Sequence, residues 1–168
     1  VEPLKTYDYN HLKDWFFLSY ALDPKSNFVP TMAAYYYGGV EAPDKIPAVV
    51  EYLRMIGSES DSRKWRWMAQ AVFLERYIIK DLDKAYALSL ELAANKDPTL
   101  PIWAKQMPAF VLTAKGDKKG AYDAMMAILV DSAEKLPPQE VFVMKDFICT
   151  RILDPEEAKS DALCQNPQ

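Results

Sequence analysis

Apolar side chains recur along this chain at intervals of three and four residues, the period of one helical face. Leu12, Trp15, Phe16, Ser19 and Tyr20 keep that spacing and predict a helix over 7–22. Asp23-Pro24 stops it, because the residue before proline avoids the helical region. Pro30 suits a first helical position and Gly38-Gly39 a stop, so a short helix is expected over 30–38. Asp44 can cap a helix over 45–56 that ends at Gly57. A long helix should start at Asp61 or Ser62 and run to about Lys80. Asp81 caps the next, to about Ala94, and Pro101 opens another, to about Lys115. Gly116-Asp117 turns the chain into a helix that ends near Lys135. Pro137-Pro138 opens a helix to Leu153, and Asp154-Pro155-Glu156-Glu157 has the form of a capping box before a last short helix to about Leu163. The residues 165–168 read as a frayed tail.

No alternating run bounded by Asn-Gly or Asp-Gly turns competes for a strand. The short connections make successive helices antiparallel neighbours. Pro108 falls inside a predicted helix, where it removes a backbone hydrogen bond and favours a kink.

The helix pairs echo one another. Shifted by 36 places, Trp67 falls on Trp103, Gln70 on Gln106, Asp81 on Asp117, Ala85-Tyr86 on Ala121-Tyr122 and Leu100-Pro101 on Leu136-Pro137. Those seven identities over 67–101 compare with about two expected from residue frequencies. The pattern resembles tetratricopeptide repeats. Trp67, Gln70, Ala71 and Leu74 match the first-helix positions of one repeat, and Trp103, Gln106, Met107 and Phe110 those of the next. Ala85 and Ala121 match the small second-helix position, and Pro24 matches the closing proline of a partial repeat. An earlier unit with Pro30, Ala33, Ala34 and Tyr37 fits more loosely. The period is longer than the family's usual 34 or so, and Met107 replaces a small residue.

The resemblance implies an all-α fold of antiparallel helical hairpins, stacked as a short right-handed solenoid. It would form one domain over 1–168, with repeats over about 7–153 and a short helix and tail over 154–168. An ordinary helical bundle is the competing architecture. The repeat frame also implies a concave row along the first helices, made of Phe28, Thr31, Tyr35, Trp65, Met68, Val72, Arg76, Ala104 and Pro108. Residues two apart do not share a helical face, so Trp65 and Trp67 cannot both enter one core. An aromatic groove of this kind suits an extended or helical segment of a partner protein. Packing of the same side chains against neighbouring helices is the alternative.

Charge and chemistry narrow the picture. The chain has 168 residues, a formal charge of −4 and no 18-residue apolar stretch, which argues against nucleic acid as a partner and against a membrane span. The basic cluster Arg63, Lys64 and Arg66 is flanked by Glu59, Asp61 and Glu75, the pattern of a solvated mixed face. His11 is the lone histidine, too little for a zinc site or a nucleophilic triad. No glycine-rich phosphate loop appears. No metal or cofactor is expected. Carboxylate pairs such as Glu75 with Glu91, or Asp14 with Asp23, can be nominated, but nothing selects them for catalysis. Cys149 and Cys164 could close a disulfide or stand as two separate thiols, with Cys149 an inert core residue.

The expected function is a non-catalytic interaction module that binds a protein or peptide. The alternatives are a structural subunit of a larger assembly and, third, a helical enzyme or small-ligand binder. A start at Val1 and two late cysteines lean toward an exported or envelope-tethered domain, compatible with a removed N-terminal anchor. A piece of a cytoplasmic protein explains the same facts. Oligomeric state is not legible from these residues.

Overall fold

The computed structural model describes residues 3–165 and is all-helical. The expected frayed tail beyond Gln165 lies outside the described residues. The helices are α1 (Tyr9–Leu22), α2 (Phe28–Thr31), α3 (Ile46–Gly57), α4 (Trp65–Phe73), α5 (Leu82–Ala93), α6 (Ile102–Lys115), α7 (Lys118–Ser132), α8 (Pro138–Phe147), α9 (Pro155–Ser160) and α10 (Ala162–Gln165). Three of them continue in a wider π-helical turn: Met32–Tyr37 after α2, Leu74–Ile79 after α4 and Ile148–Ile152 after α8. Where the length suggests one domain, the chain divides into two compact units, Val1–Ala104 and Lys105–Gln168.

In the first unit, the Asp8 carboxylate starts α1 by accepting the backbone N–H groups of Asn10 (2.9 Å) and His11 (3.3 Å). Helix α3 carries the central apolar stripe. Ile46, Val49, Leu53 and Ile56 recur at helical spacing and are buried with Tyr52. Each such side chain contributes about 1.5–3 kcal/mol through burial. Helix α3 packs on α1 and α4, and α4 on α5. Gly57 lets α3 and α4 meet, since a Cβ there would lie 2.3 Å from the backbone nitrogen of Met68.

Helix α4 starts at Trp65 rather than at Asp61 or Ser62. The reason is backbone conformation: Ser62 and Arg63 have φ of +54° and +60°, in the left-handed region, which no right-handed helix can contain. The corner is held from a distance. The Asp97 carboxylate accepts the Arg63 N–H (3.0 Å), the Thr99 N–H (2.8 Å) and the Thr99 hydroxyl (2.6 Å). These donors, the Thr99 hydroxyl first, hold Asp97 below the usual carboxylate range. A second clamp is ionic. Lys64 donates to Glu59 (2.6 Å) and to Tyr20 (2.5 Å), and Tyr20 donates to Glu59. Burial alone would raise Glu59 and lower Lys64, but the bonds between them reverse both shifts.

In the second unit, α6 runs through Pro108 to Lys115 and ends where Gly116 takes φ +80°. The Asp117 carboxylate then accepts the Gly120 N–H (2.9 Å) at the start of α7. Ala121, Met125 and Leu129 of α7 are buried, as are Met144 of α8 and Ile148 and Ile152 of the π turn that follows it. Phe110 meets Phe147 edge-on at 4.8 Å between ring centres. The Glu157 carboxylate accepts the Asp154 N–H (2.8 Å), which closes the predicted box. A disulfide joins Cys149 and Cys164, with Cα atoms 5.8 Å apart, and ties α10 to the π turn after α8.

Helix starts recur with a near-constant step. One series begins at Tyr9, Ile46, Leu82, Lys118 and Pro155, steps of 37, 36, 36 and 37. The other begins at Phe28, Trp65, Ile102 and Pro138, steps of 37, 37 and 36. An aspartate precedes each start of the first series: Asp8, Asp44, Asp81, Asp117 and Asp154. The π turn accounts for the longer step from Trp65 to Ile102, but not for the 36-residue step from Ile46 to Leu82, which spans the same turn. A π turn takes one residue more than an α turn, so α4 with its π turn spans Trp65–Ile79 while α6 spans Ile102–Lys115, one residue fewer. Burial in the two first helices matches better at 37 than at 36: Trp67 with Ala104, Val72 with Ala109, Leu74 with Val111.

Candidate functional site

The structure separates the predicted row by burial. Phe28 (71% exposed), Thr31 and Tyr35 (64% exposed) are open to solvent. Trp65, Met68, Val72, Ala104 and Pro108 are buried, so they do not line an open groove. For the three on α4 helix–helix packing explains this: α4 packs on both α3 and α5, and its side chains are consumed by those contacts. Trp65 has a structural role instead. Its indole N–H donates to the Thr99 hydroxyl (3.1 Å) and its ring meets Trp103 edge-on at 5.6 Å. Arg76 is half-buried, with its guanidinium over the Tyr77 ring at 4.8 Å.

Phe28 belongs to a cleft between α1 and the segment formed by α2 and its π turn. The cleft has a volume of about 220 Å³. Leu12, Trp15, Phe16 and Ser19 line it from α1, and Phe28, Val29, Met32 and Tyr37 from the other side. None of these side chains is charged. Phe16 forms the floor, buried and packed on Tyr37 (5.4 Å) and Tyr52 (5.1 Å). Burial first, then the neighbouring Tyr36 and Tyr7 phenols, push the Tyr37 hydroxyl above its usual range, so it stays neutral. Trp15 forms the rim, and it is 63% exposed. Leu18, Leu22 and Tyr36 add further exposed apolar surface on the same two segments.

Trp15 was not part of the predicted row. Its spacing puts it on one helical face with Phe16, yet Phe16 is buried and Trp15 is not. The signal was present in the run Trp15-Phe16-Phe17, which is wider than one stripe can bury.

Of the basic cluster, Lys64 is buried and ion-paired, whereas Arg63 and Arg66 stay exposed and Arg63 is held through its backbone. The Arg63 N–H goes to Asp97, Lys64 to Glu59 and Tyr20, and the Arg66 guanidinium sits over Trp67 at 4.9 Å. Of the nominated carboxylates, Glu75 and Glu91 line one cleft with Arg54 and Lys84, whereas Asp14 and Asp23 are exposed on or beside α1. Among the described residues no three metal-ligating side chains meet, and no helix is long and apolar enough to cross a membrane. No family model, curated protein or solved structure matches this chain.

Proposed function

We propose that this chain is a non-enzymatic interaction module. It takes an apolar side chain of a partner protein or peptide into the cleft between α1 and the Phe28–Tyr37 segment. One observation carries the reading: a cleft lined by uncharged side chains keeps Trp15 and Phe28 mostly exposed. Clustered exposed aromatics are costly in water and typical of recognition surfaces. Thr31 and Tyr35 extend this surface along the same segment.

We further propose a tetratricopeptide-like arrangement of hairpins within each unit. The recurring helix starts support it. So do the polar side-chain contacts, many of which join residues one period apart. Examples are Lys13 with Glu51, Arg54 with Glu91, Trp65 with Thr99, Lys118 with Asp154 and Tyr122 with Asp161. Contacts confined to the adjacent repeat are what stacked hairpins require.

A second reading, as a permanently buried subunit, is favoured by exposed Val130, Phe142 and Val143 in the second unit. A photo-crosslinking side chain placed at position 28, or at position 130, separates the two. Crosslinking of one defined partner from 28 alone supports the cleft. Crosslinking from both positions favours the subunit, and none from 28 contradicts the cleft.

A further inference from the structure

The second cleft lies beside the π turn of α4 and has an unmet chemical demand. It is lined by Pro47, Val50, Glu51 and Arg54 of α3, by Glu75, and by Lys84, Ala87, Leu88 and Glu91 of α5, with a volume of about 380 Å³. Glu75 is 3% exposed, and its Oε2 has no hydrogen-bond partner. An unpaired buried carboxyl oxygen forfeits its hydration without return. Burial pushes this carboxyl above its usual range, with Lys84 opposing and Asp81 adding to the shift.

The charges around it are already paired. Arg54 donates to Glu91 through Nε (2.9 Å) and Nη2 (2.7 Å), Lys84 lies 3.3 Å from Asp81, and Glu51 accepts from Lys13 at 2.6 Å. What remains unmet is a donor for Glu75, which lines the cleft together with Val50, Ala87 and Leu88. Helix packing does not call for a carboxylate here. Thirty-seven residues on, the corresponding buried position of α6 is Leu112. The π turn itself is a departure from α geometry of the kind frequent at functional sites.

We propose that this cleft binds a primary ammonium carried on an aliphatic chain, the ammonium donating to Glu75 Oε2 and the methylenes lying on Val50, Ala87 and Leu88. A compact ammonium suits a single unpartnered oxygen better than a guanidinium, whose planar fork calls for two acceptors. Two sources offer the same chemistry, a lysine side chain of a polypeptide and a free diamine. The site is independent of the aromatic cleft.

The test is a titration of the whole chain with n-butylammonium, cadaverine and Nα-acetyl-lysine amide, with 1-butanol as the uncharged control, followed by methyl NMR at Val50, Ala87 and Leu88. Saturable shifts are expected with an ammonium and not with butanol. Glu75→Gln should weaken binding about tenfold or more, the worth of one charged hydrogen bond. Ala87→Leu should obstruct the cleft and weaken binding with Glu75 intact. The Glu75 carboxyl carbon should titrate at lower pH in the complex. Tighter binding of the lysine amide than of cadaverine would point to a polypeptide source, and the reverse to a diamine. The proposal is overturned if no ammonium gives saturable shifts, if butanol gives equal ones, or if Glu75→Gln binds as well as the wild type.

Discussion

The segment Phe28–Tyr37 and helix α4 with its π turn, Trp65–Ile79, start one period apart, and both carry aromatic residues in their first turns. Their aromatics meet opposite fates. Trp65 and Trp67 are buried, whereas Phe28 and Tyr35 stand in solvent. Coverage makes the difference. Helix α4 has α3 on one side and α5 on the other, while the described residues leave Phe28 and Tyr35 uncovered. The same residue type is therefore core in one hairpin and candidate contact surface in another, and neighbours rather than local sequence decide which.

The sharpest way to break this comparison is truncation on the covered side. Trp67→Ala should lower stability by about 3–5 kcal/mol, the usual cost of removing a large buried aromatic. Chemical denaturation reads it, and a loss under about 1 kcal/mol would mean that α4 is not packed as described. A step smaller is Gly57→Ala, which puts a methyl against the Met68 backbone. A loss of about 1–3 kcal/mol is expected from overpacking, and an unchanged midpoint would show that α3 and α4 sit further apart.

Acid should act on the covered side as well. Asp97 and Glu59 both have depressed folded values. Their contribution is fully present above their unfolded values of about 4 and is lost as pH falls through the lower folded ones. Stability should thus fall below about pH 4, and Asp97→Asn should flatten that acid limb when denaturation midpoints are compared across pH. An unchanged limb would remove Asp97 from the clamp. The smallest effect belongs to the uncovered side: Phe28→Ala and Tyr35→Ala should each change stability by no more than about 0.5 kcal/mol. A larger loss in the same denaturation assay would mean that these rings are core after all.

Much of the helical layout was legible because its signals are local. Asp23-Pro24, Gly57, Asp81, Gly116-Asp117 and Pro137-Pro138 all fall at or beside observed helix boundaries. The misplaced start of α4 was not legible. The left-handed Ser62 and Arg63 are held by Asp97, which lies more than thirty residues away. The repeat was visible at a shift of 36, but the extra residue in the π turn of α4 shifts the first helices to 37. That single residue matters for site prediction, because one position along a helix turns a side chain by about 100°.

The division of the aromatic row into exposed and buried residues has a different reason. Periodicity places Trp65, Met68 and Val72 on one face but does not say what packs against it. In the sequence Glu75 is one carboxylate among many, since its missing partner is a property of the packed state. Cys149 and Cys164 stood as either a bridge or two thiols until their placement joined them.

The central claim is that Trp15, Phe28 and Tyr35 form a recognition surface. Quantitative capture from native lysate tests it most directly, with the wild type beside a Trp15→Ala, Phe28→Ala, Tyr35→Ala variant and a Val130→Ala control, all matched for helical content. The account predicts a defined partner retained by the wild type and by the control and lost by the triple variant. Equal recovery by all three proteins would contradict it.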